Sequence, residues 1–170
     1  SGGVGSYAVQ LAKAQGAHVT GVCSTAKLDL VRALGADEAI DYTTEDVTAG
    51  LRRYDLIVDI AGNTRLGRLR RALEPRGTLV IVGGEQGGKV TGGFGRSVRA
   101  PLLSPFVRQR LTMLVNQETA RDLEPLSDLI DAGSVAPSLD STFPLEQAPE
   151  AMRRLEAGLV RGKVAISVAG

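Results

Sequence analysis

The sequence predicts an α/β fold with a doubly wound parallel sheet. Short β-rich apolar runs alternate along the chain with helical patterns, which is typical of strands joined by crossover helices. A glycine turn at residues 1–5 also leads directly into a helical pattern at residues 7–14. Glycines at a helix N-terminus let a phosphate approach backbone N–H groups that have no partner within the helix. The start of the chain is therefore predicted to be a phosphate-binding turn.

The strand that should precede this turn is missing from the chain. In a doubly wound sheet that strand is central, because the strand order is 3-2-1-4-5-6. Without its first strand, we expect the sheet to divide into two pieces with unpaired edges. We therefore expect the 170 residues to be the C-terminal part of a longer protein, and the fragment alone to be inactive.

Each strand is predicted from a β-rich run, and each helix from apolar spacing with a recognisable end. The predicted strands are residues 18–23, 39–41, 54–59, 78–82, 111–115, 135–143 and 163–168. The predicted helices are residues 7–14, 27–34, a short segment from Thr44, 66–73, 122–132 and 145–156.

Glycine and proline set several boundaries. Gly35 and Gly133 are expected to end helices, and Pro149 must lie in the first turn of its helix. We expect the strand at residues 54–59 to be buried. We expect residues 85–100, which are rich in glycine, to form a mobile loop.

Composition narrows the class of protein. The net charge is +1 with both signs interspersed, which gives no argument for nucleic acid or an anionic membrane as a partner. The longest basic stretch, residues 65–71, is interpreted as a solvated helix face. The single cysteine, Cys23, rules out an intrachain disulfide, and no apolar run approaches about 20 residues. A cytoplasmic enzyme is the expectation.

The end of the second strand indicates which dinucleotide is preferred. An NAD site places a carboxylate there to bind both ribose hydroxyls, but the residue is Cys23, followed by Ser24 and then Lys27. Ser24 can donate a hydrogen bond to a 2′-phosphate and Lys27 can supply a positive charge. The alternative is structural, with Ser24 as a helix N-cap and Lys27 as a surface residue. The sequence favours NADP(H).

The order of motifs along the chain resembles the medium-chain dehydrogenase/reductase superfamily, and within it the zinc-independent, quinone oxidoreductase-like branch. The resemblance covers essentially the whole chain. The motifs that carry it include Gly2-Gly3-Val4-Gly5, Leu34-Gly35-Ala36-Asp37, Leu73-Glu74-Pro75-Arg76-Gly77, Phe143-Pro144-Leu145-Glu146-Gln147-Ala148 and Arg161-Gly162-Lys163-Val164.

The resemblance implies a domain organisation. Residues 1–133 would be an NADP(H)-binding domain of Rossmann type, truncated at its N-terminus. Residues 134–170 would be a segment whose strands return to a GroES-like catalytic domain that is absent from the chain. The segment from Leu111 to Val115 would be an edge strand that pairs with its twin in a homodimer. That edge is apolar and would be an aggregation hazard if left bare.

The resemblance also implies which residues hold the cofactor. Gly2 and Gly5 match the second and third glycines of the family's phosphate-binding motif, and Tyr42 matches a tyrosine that lies against the adenosine 2′-phosphate. For Tyr42, a half-buried position at a strand end is an equally weighted alternative. The complete set of predicted cofactor-binding residues is Gly2, Gly3, Val4, Gly5, Cys23, Ser24, Lys27, Tyr42, Gly83, Gly84, Ser104 and Phe106.

The function that follows is hydride transfer from NADPH to a small-molecule quinone or α,β-unsaturated carbonyl, with no catalytic residue assigned in this chain. The alternatives are a zinc-dependent alcohol dehydrogenase of the same superfamily and a non-enzymatic NADPH-binding module. A methyltransferase is disfavoured because no acidic residue lies near Cys23. One Cys and one His cannot form a zinc site within the chain, so His18 is interpreted as structural. Asp37, Glu38 and Asp41 are interpreted as a solvated approach to a strand.

Overall fold

Helices and parallel strands largely alternate along the chain, as the sequence predicts. The structure, a computed structural model, describes residues 1–60, 64–83, 94–115 and 119–168. Its helices are α1 (Gly3–Ala14), α2 (Leu28–Ala33), α3 (Leu66–Arg71), α4 (Phe94–Leu103), α5 (Ala120–Asp131) and α6 (Ala148–Glu156). Its strands are β1 (Thr20–Cys23), β2 (Glu38–Asp41), β3 (Tyr54–Asp59), β4 (Leu73–Ile81), β5 (Arg110–Met113), β6 (Leu139–Pro144) and β7 (Lys163–Ser167).

The strands form three separate parallel sheets within the described residues. Their orders are β1-β2, β3-β4-β5 and β6-β7. The prediction of a parallel α/β fold whose main sheet falls into two pieces is confirmed by the first two of these sheets.

The chain divides into two compact units. The first contains Ser1–Glu45 and Glu118–Gly170, and the second contains Asp46–Gln117. The last part of the chain therefore belongs to the same unit as the first part. The predicted domain boundary after residue 133 concerns the organisation of the whole protein and stays a prediction.

The core of the first unit lies between β1 and α2. Cys23, Val31 and Ala36 are buried there, and Val9 of α1 packs against them. The helix lies so close to the strand that a Cβ on Gly21 would overlap a methyl group of Val31. This packing fixes the carboxyl end of β1, where the predicted ribose-binding residues begin.

The core of the second unit forms around the central strand β4. Leu79 and Ile81 of that strand are fully buried with Leu69 of α3, Ala100 of α4 and Leu111 of β5. The helices therefore cover one face of the β3-β4-β5 sheet, as expected for crossover connections in a parallel sheet.

Three sequence predictions about the second unit need correction. Residues 94–100 of the predicted loop are helical, because α4 buries Ala100 against the core; residues 84–93 lie outside the described residues. Strand β3 is not buried, since Leu56 and Val58 are 55% and 42% exposed on the face away from Ile57. Strand β4 begins at Leu73, before the predicted start at residue 78, and residues 75–77 form an irregularity in its register with β3.

The predicted helix at Thr44 is also wrong. Asp41 accepts hydrogen bonds from the backbone N–H and the hydroxyl of Thr43, at 2.9 and 2.7 Å, and the chain continues in turns. Aspartate side chains that bind the backbone two residues ahead stabilise such turns in competition with a helix.

The predicted helix ends are confirmed. Gly35 and Gly133 follow α2 and α5 with φ of +98° and +70°, and Pro149 lies in the first turn of α6. In the part of the chain that the structure describes, no helix is both long and apolar enough to cross a membrane.

Candidate functional site

The glycine turn presents free backbone N–H groups at the start of α1. Gly2 is the N-cap, in extended conformation, and no described side chain caps the helix there. The first turn of α1 contains no acidic residue. The N–H groups of this turn and the positive end of the helix dipole are therefore available to an anion. A pyrophosphate fits this donor set.

A lysine from the last strand lies beside the same turn. The Nζ of Lys163 is 3.4 Å from the position that a Cβ on Gly3 would occupy, and 5.0 Å from the centroid of the Tyr7 ring. Among the described residues, no carboxylate lies within ion-pair distance of Lys163. Its ammonium group therefore adds an uncompensated positive charge to the anion-binding end of α1.

The position of Lys163 is fixed by backbone contacts between distant parts of the first unit. Gly162 forms a parallel bridge with Gly2, and its N–H donates to the Ser1 carbonyl at 3.0 Å. The Lys163 N–H donates to the Ser138 carbonyl at 2.8 Å. In the sequence, only family resemblance marks the segment from Arg161 to Lys163. Nothing in its local spacing shows that it contacts residues 1–3.

The predicted ribose-binding residues meet at the carboxyl ends of β1 and β2. Cys23 pairs with Asp41, and the Tyr42 N–H donates to the Cys23 carbonyl at 3.1 Å. The Tyr42 ring is 62% exposed, whereas the Cys23 thiol is buried, and burial raises its pKa. Tyr42 and the half-buried Ser24 are thus accessible to a ligand, while the buried Cys23 supplies packing.

Among the described residues, Lys27 Nζ has one hydrogen-bond acceptor. Its Nζ donates to the Val160 carbonyl at 2.8 Å, which holds the ammonium group at the surface of the first unit. A lysine has three N–H donors, so two remain for a phosphate. The structural and the phosphate-binding interpretations of Lys27 are compatible in this geometry.

Asp41 brings a carboxylate to this site that the sequence pattern did not reveal. It accepts a hydrogen bond from the Thr25 hydroxyl and two from Thr43. The Thr25 hydrogen bond first, and those from Thr43 next, lower the pKa of Asp41. The carboxylate belongs to β2 and is engaged by threonines, so it differs from the ribose-binding carboxylate of an NAD site at the end of β1.

The remaining predicted cofactor residues lie at opposite ends of the sheet in the second unit. Gly83 follows the carboxyl end of β4, whereas Ser104 and Phe106 precede the amino end of β5. The Ser104 hydroxyl accepts the Leu111 N–H at 3.0 Å, and Phe106 is 84% exposed. The second unit thus does not bring Ser104 and Phe106 next to Gly83. Gly84 lies outside the described residues.

The described residues show no group of three or more His, Cys, Asp or Glu side chains that could hold a metal ion. This finding does not concern zinc ligands outside this chain. His18 lies 3.7 Å from Asp37 and 3.6 Å from Glu38 at the surface, which agrees with a structural role.

Comparisons with known proteins identify the family and the fold. The sequence pattern of the zinc-binding dehydrogenase family matches residues 34–166. The chain is 36% identical over 184 aligned residues to the Mus musculus protein named NAD(P)H oxidoreductase RTN4IP1, mitochondrial; the match covers 99% of this chain and 46% of that protein.

Two solved structures show the same fold. A quinone oxidoreductase from Coxiella burnetii is 28% identical with a TM-score of 0.78, over 99% of this chain and 50% of that one. An NAD-dependent alcohol dehydrogenase is 28% identical with a TM-score of 0.80, over 99% and 49%. The chain thus spans about half the length of these relatives. The glycine turn, the parallel sheets and the family match together establish that this chain belongs to the zinc-binding dehydrogenases of the medium-chain dehydrogenase/reductase superfamily and corresponds to their C-terminal portion.

Proposed function

We propose that the whole protein is an NADPH-dependent oxidoreductase that transfers a hydride to a quinone or an α,β-unsaturated carbonyl, and that this chain is its cofactor-binding part. The observation that carries the proposal is the uncapped glycine turn of α1 with the Lys163 ammonium group beside it. The mouse relative is named as an NAD(P)H oxidoreductase, and the Coxiella burnetii structure as a quinone oxidoreductase, which supports the reaction class.

In this proposal the first unit holds the phosphates of the cofactor. The N–H groups of Gly3, Val4 and Gly5 donate to the pyrophosphate, and Lys163 neutralises part of its charge. Ser24 and Lys27 bind the adenosine 2′-phosphate, and the exposed side chain of Tyr42 lies against the same phosphate. The nicotinamide supplies the hydride when the cofactor is bound, and the protein supplies position and electrostatics.

The substrate side of the proposal is tested by turnover of the whole protein. We expect NADPH to be consumed with a panel of quinones and enones, and NADH to be a poorer donor. NADPH binding without turnover on any of these substrates would favour the non-enzymatic module, and consumption of NADH in preference to NADPH would contradict the cofactor assignment.

A zinc-dependent alcohol dehydrogenase remains the second candidate. The name of the matching family and the solved NAD-dependent alcohol dehydrogenase favour it. Metal analysis of the whole protein separates the two. We expect activity on quinones or enones to survive dialysis against a chelator, whereas stoichiometric zinc, with activity on alcohols that is lost on chelation, would support the alternative.

Two further parts of the proposal concern the cell and the assembly. We propose a cytoplasmic location. The mouse relative is named as mitochondrial, so the location is to be measured directly.

We also propose a homodimer formed through β5, which is the outer strand of its sheet and is followed by the exposed Leu114 and Val115.

A further inference from the structure

A basic groove lies in the second unit, at the end of the sheet opposite to the carboxyl ends of its strands. Arg53 immediately precedes β3, Arg70 and Arg71 form the last turn of α3 before β4, and Phe106 and Arg108 precede β5. Because the three strands are parallel, their amino ends share one edge of the sheet. We call this feature the arginine groove; its volume is about 480 Å³.

The groove carries positive charge without compensation. Four arginines line it, and none of the described residues in its lining is acidic. Among the described residues, no carboxylate lies within ion-pair distance of Arg70, Arg71 or Arg108. Arg68 on the same helix provides a contrast, because it points elsewhere and pairs with Asp46 at 2.9 Å. The sequence pattern alone did not distinguish the paired from the unpaired arginines of this basic stretch.

One of the four arginines is also held in place. The Nη1 of Arg53 donates to the carbonyls of Gly50 and Arg52, at 3.3 and 3.0 Å. Like charges that converge on one space repel each other, and this repulsion is relieved when an anion enters. Guanidinium groups bind phosphate oxygens through paired N–H donors, which makes phosphate the anion that suits them best.

The groove also has an apolar surface beside its charges. Phe106 is 84% exposed, and Leu73, Pro75 and Val107 lie near it in the lining. An exposed aromatic ring next to arginines can stack against a flat ring of a ligand. The volume is in the range of sites for small molecules.

We infer that the arginine groove binds a phosphorylated small molecule of nucleotide size, at a site separate from the cofactor site. Cofactor nucleotides of doubly wound folds bind at the carboxyl ends of the strands, whereas this groove lies at the amino ends. The inference does not depend on the proposed reaction. It gives the arginines of α3 a role other than that of a solvated helix face.

Calorimetric titration of the whole protein with ADP and with inorganic pyrophosphate tests this inference. The groove variant is R71Q/R108Q, which changes two exposed side chains. The matched control is R65Q/R76Q, which removes the same charge from exposed arginines of the same unit that do not line the groove. We expect the groove variant to weaken ADP binding by roughly tenfold or more, as for loss of charge-assisted hydrogen bonds, and the control to leave it within about twofold.

Two further variants separate ring binding from phosphate binding, and the groove from the glycine turn. F106A should weaken binding of ADP more than that of pyrophosphate, because only ADP carries a ring. Lys163→Met should weaken binding at the glycine turn but not in the groove. The inference is overturned if neither probe binds, if R71Q/R108Q and R65Q/R76Q have equal effects, or if only Lys163→Met reduces ADP affinity.

Discussion

Asp37 joins α1 to the start of β1. The Lys13 ammonium group lies 2.9 Å from both carboxylate oxygens, and the Val19 N–H donates at 2.7 Å. The Lys13 hydrogen bonds first, and the Val19 hydrogen bond next, lower the pKa of Asp37 to about 2. Asp37 is exposed, as the sequence suggested, and it is also a structural link.

The depressed pKa of Asp37 predicts how stability depends on pH. A carboxyl group whose pKa is lower in the folded than in the unfolded protein stabilises the fold above its unfolded pKa, and the contribution is lost as pH falls through the folded pKa. Asp37→Asn should lower the thermal midpoint at neutral pH, and its difference from the wild type should disappear between about pH 4 and about pH 2. Asp128→Asn, on the exposed face of α5, is the control. A deficit that is constant over this pH range would contradict the role of the charge.

Lys27 and Lys163 are predicted to have separable effects on cofactor binding. Lys27 is assigned to the 2′-phosphate, which only NADPH carries, and Lys163 to the pyrophosphate, which NADPH and NADH share. Lys27→Ala should cost NADPH about 1–3 kcal/mol of binding free energy and leave NADH nearly unchanged, as expected for a charge-assisted contact. Lys163→Met should weaken both cofactors by a similar factor.

The ratio of the two affinities is the measurement that decides this prediction. A partial loss of structure changes both affinities together, so it does not imitate a change in the ratio. An unchanged ratio in Lys27→Ala would mean that Lys27 serves only its bond to the Val160 carbonyl. Full NADH affinity in Lys163→Met would remove Lys163 from the phosphate site.

At the level of elements, the turn between α6 and β7 is predicted to hold the glycine turn in place. Gly162 has φ of +99°, and a Cβ there would overlap the Ser138 carbonyl oxygen. Gly158 has φ of +70° with no atom within 4 Å of its ideal Cβ. Gly158→Ala should therefore lower the free energy of unfolding by about 1 kcal/mol through backbone strain alone. Gly162→Ala should lower it clearly more.

The comparison of these two alanine variants separates the steric overlap with Ser138 from the backbone strain, because both variants are strained but only Gly162→Ala produces the overlap. Gly162→Ala should also weaken cofactor binding, because Gly162 bridges to Gly2 at the start of α1. Denaturation midpoints and NADPH affinity of both variants provide the check. Equal losses of stability in the two variants would show that the contact with Ser138 has no energetic weight.

The edge strand β5 carries the prediction about assembly. Val115 is 72% exposed just beyond the strand, and a lysine at a strand edge opposes pairing with a second strand. We expect the whole protein to be a dimer by light scattering and Val115→Lys to be a monomer. Val168→Lys, at a side chain that is 77% exposed in the first unit, should remain dimeric. A strictly monomeric wild-type protein would remove the assignment of β5 to the interface.

At the level of the whole molecule, the elements that local pattern defines could be predicted and those that depend on tertiary packing could not. The strand Tyr54–Asp59 follows from its β-rich composition. The ends of α2 and α5 follow from Gly35 and Gly133, because glycine readily adopts the positive φ found there. Helix α4 could not be predicted, because it contains Pro101 and follows a glycine-rich segment, and the burial of Ala100 that accompanies it is a tertiary contact. The exposure of Leu56 could not be predicted either, since it depends on what covers β3 and not on the strand's own residues.

The same distinction holds for the candidate site. Gly2, Ser24 and Tyr42 could be proposed from the sequence because motif spacing and family resemblance mark them, and their role in binding stays a prediction. Lys163 and Asp41 reach the site through contacts between segments far apart in the chain or on neighbouring strands. No spacing rule shows such contacts. The arginine groove likewise emerges only when three strand ends meet at one edge.

Whether the first unit forms an NADPH site can be decided by a fluorescence titration of the whole protein with NADPH and NADH. We expect tight binding of NADPH and much weaker binding of NADH, because we assign Ser24, Lys27 and Tyr42 to the 2′-phosphate. Equal affinity for the two cofactors, or no binding of either, would contradict this assignment.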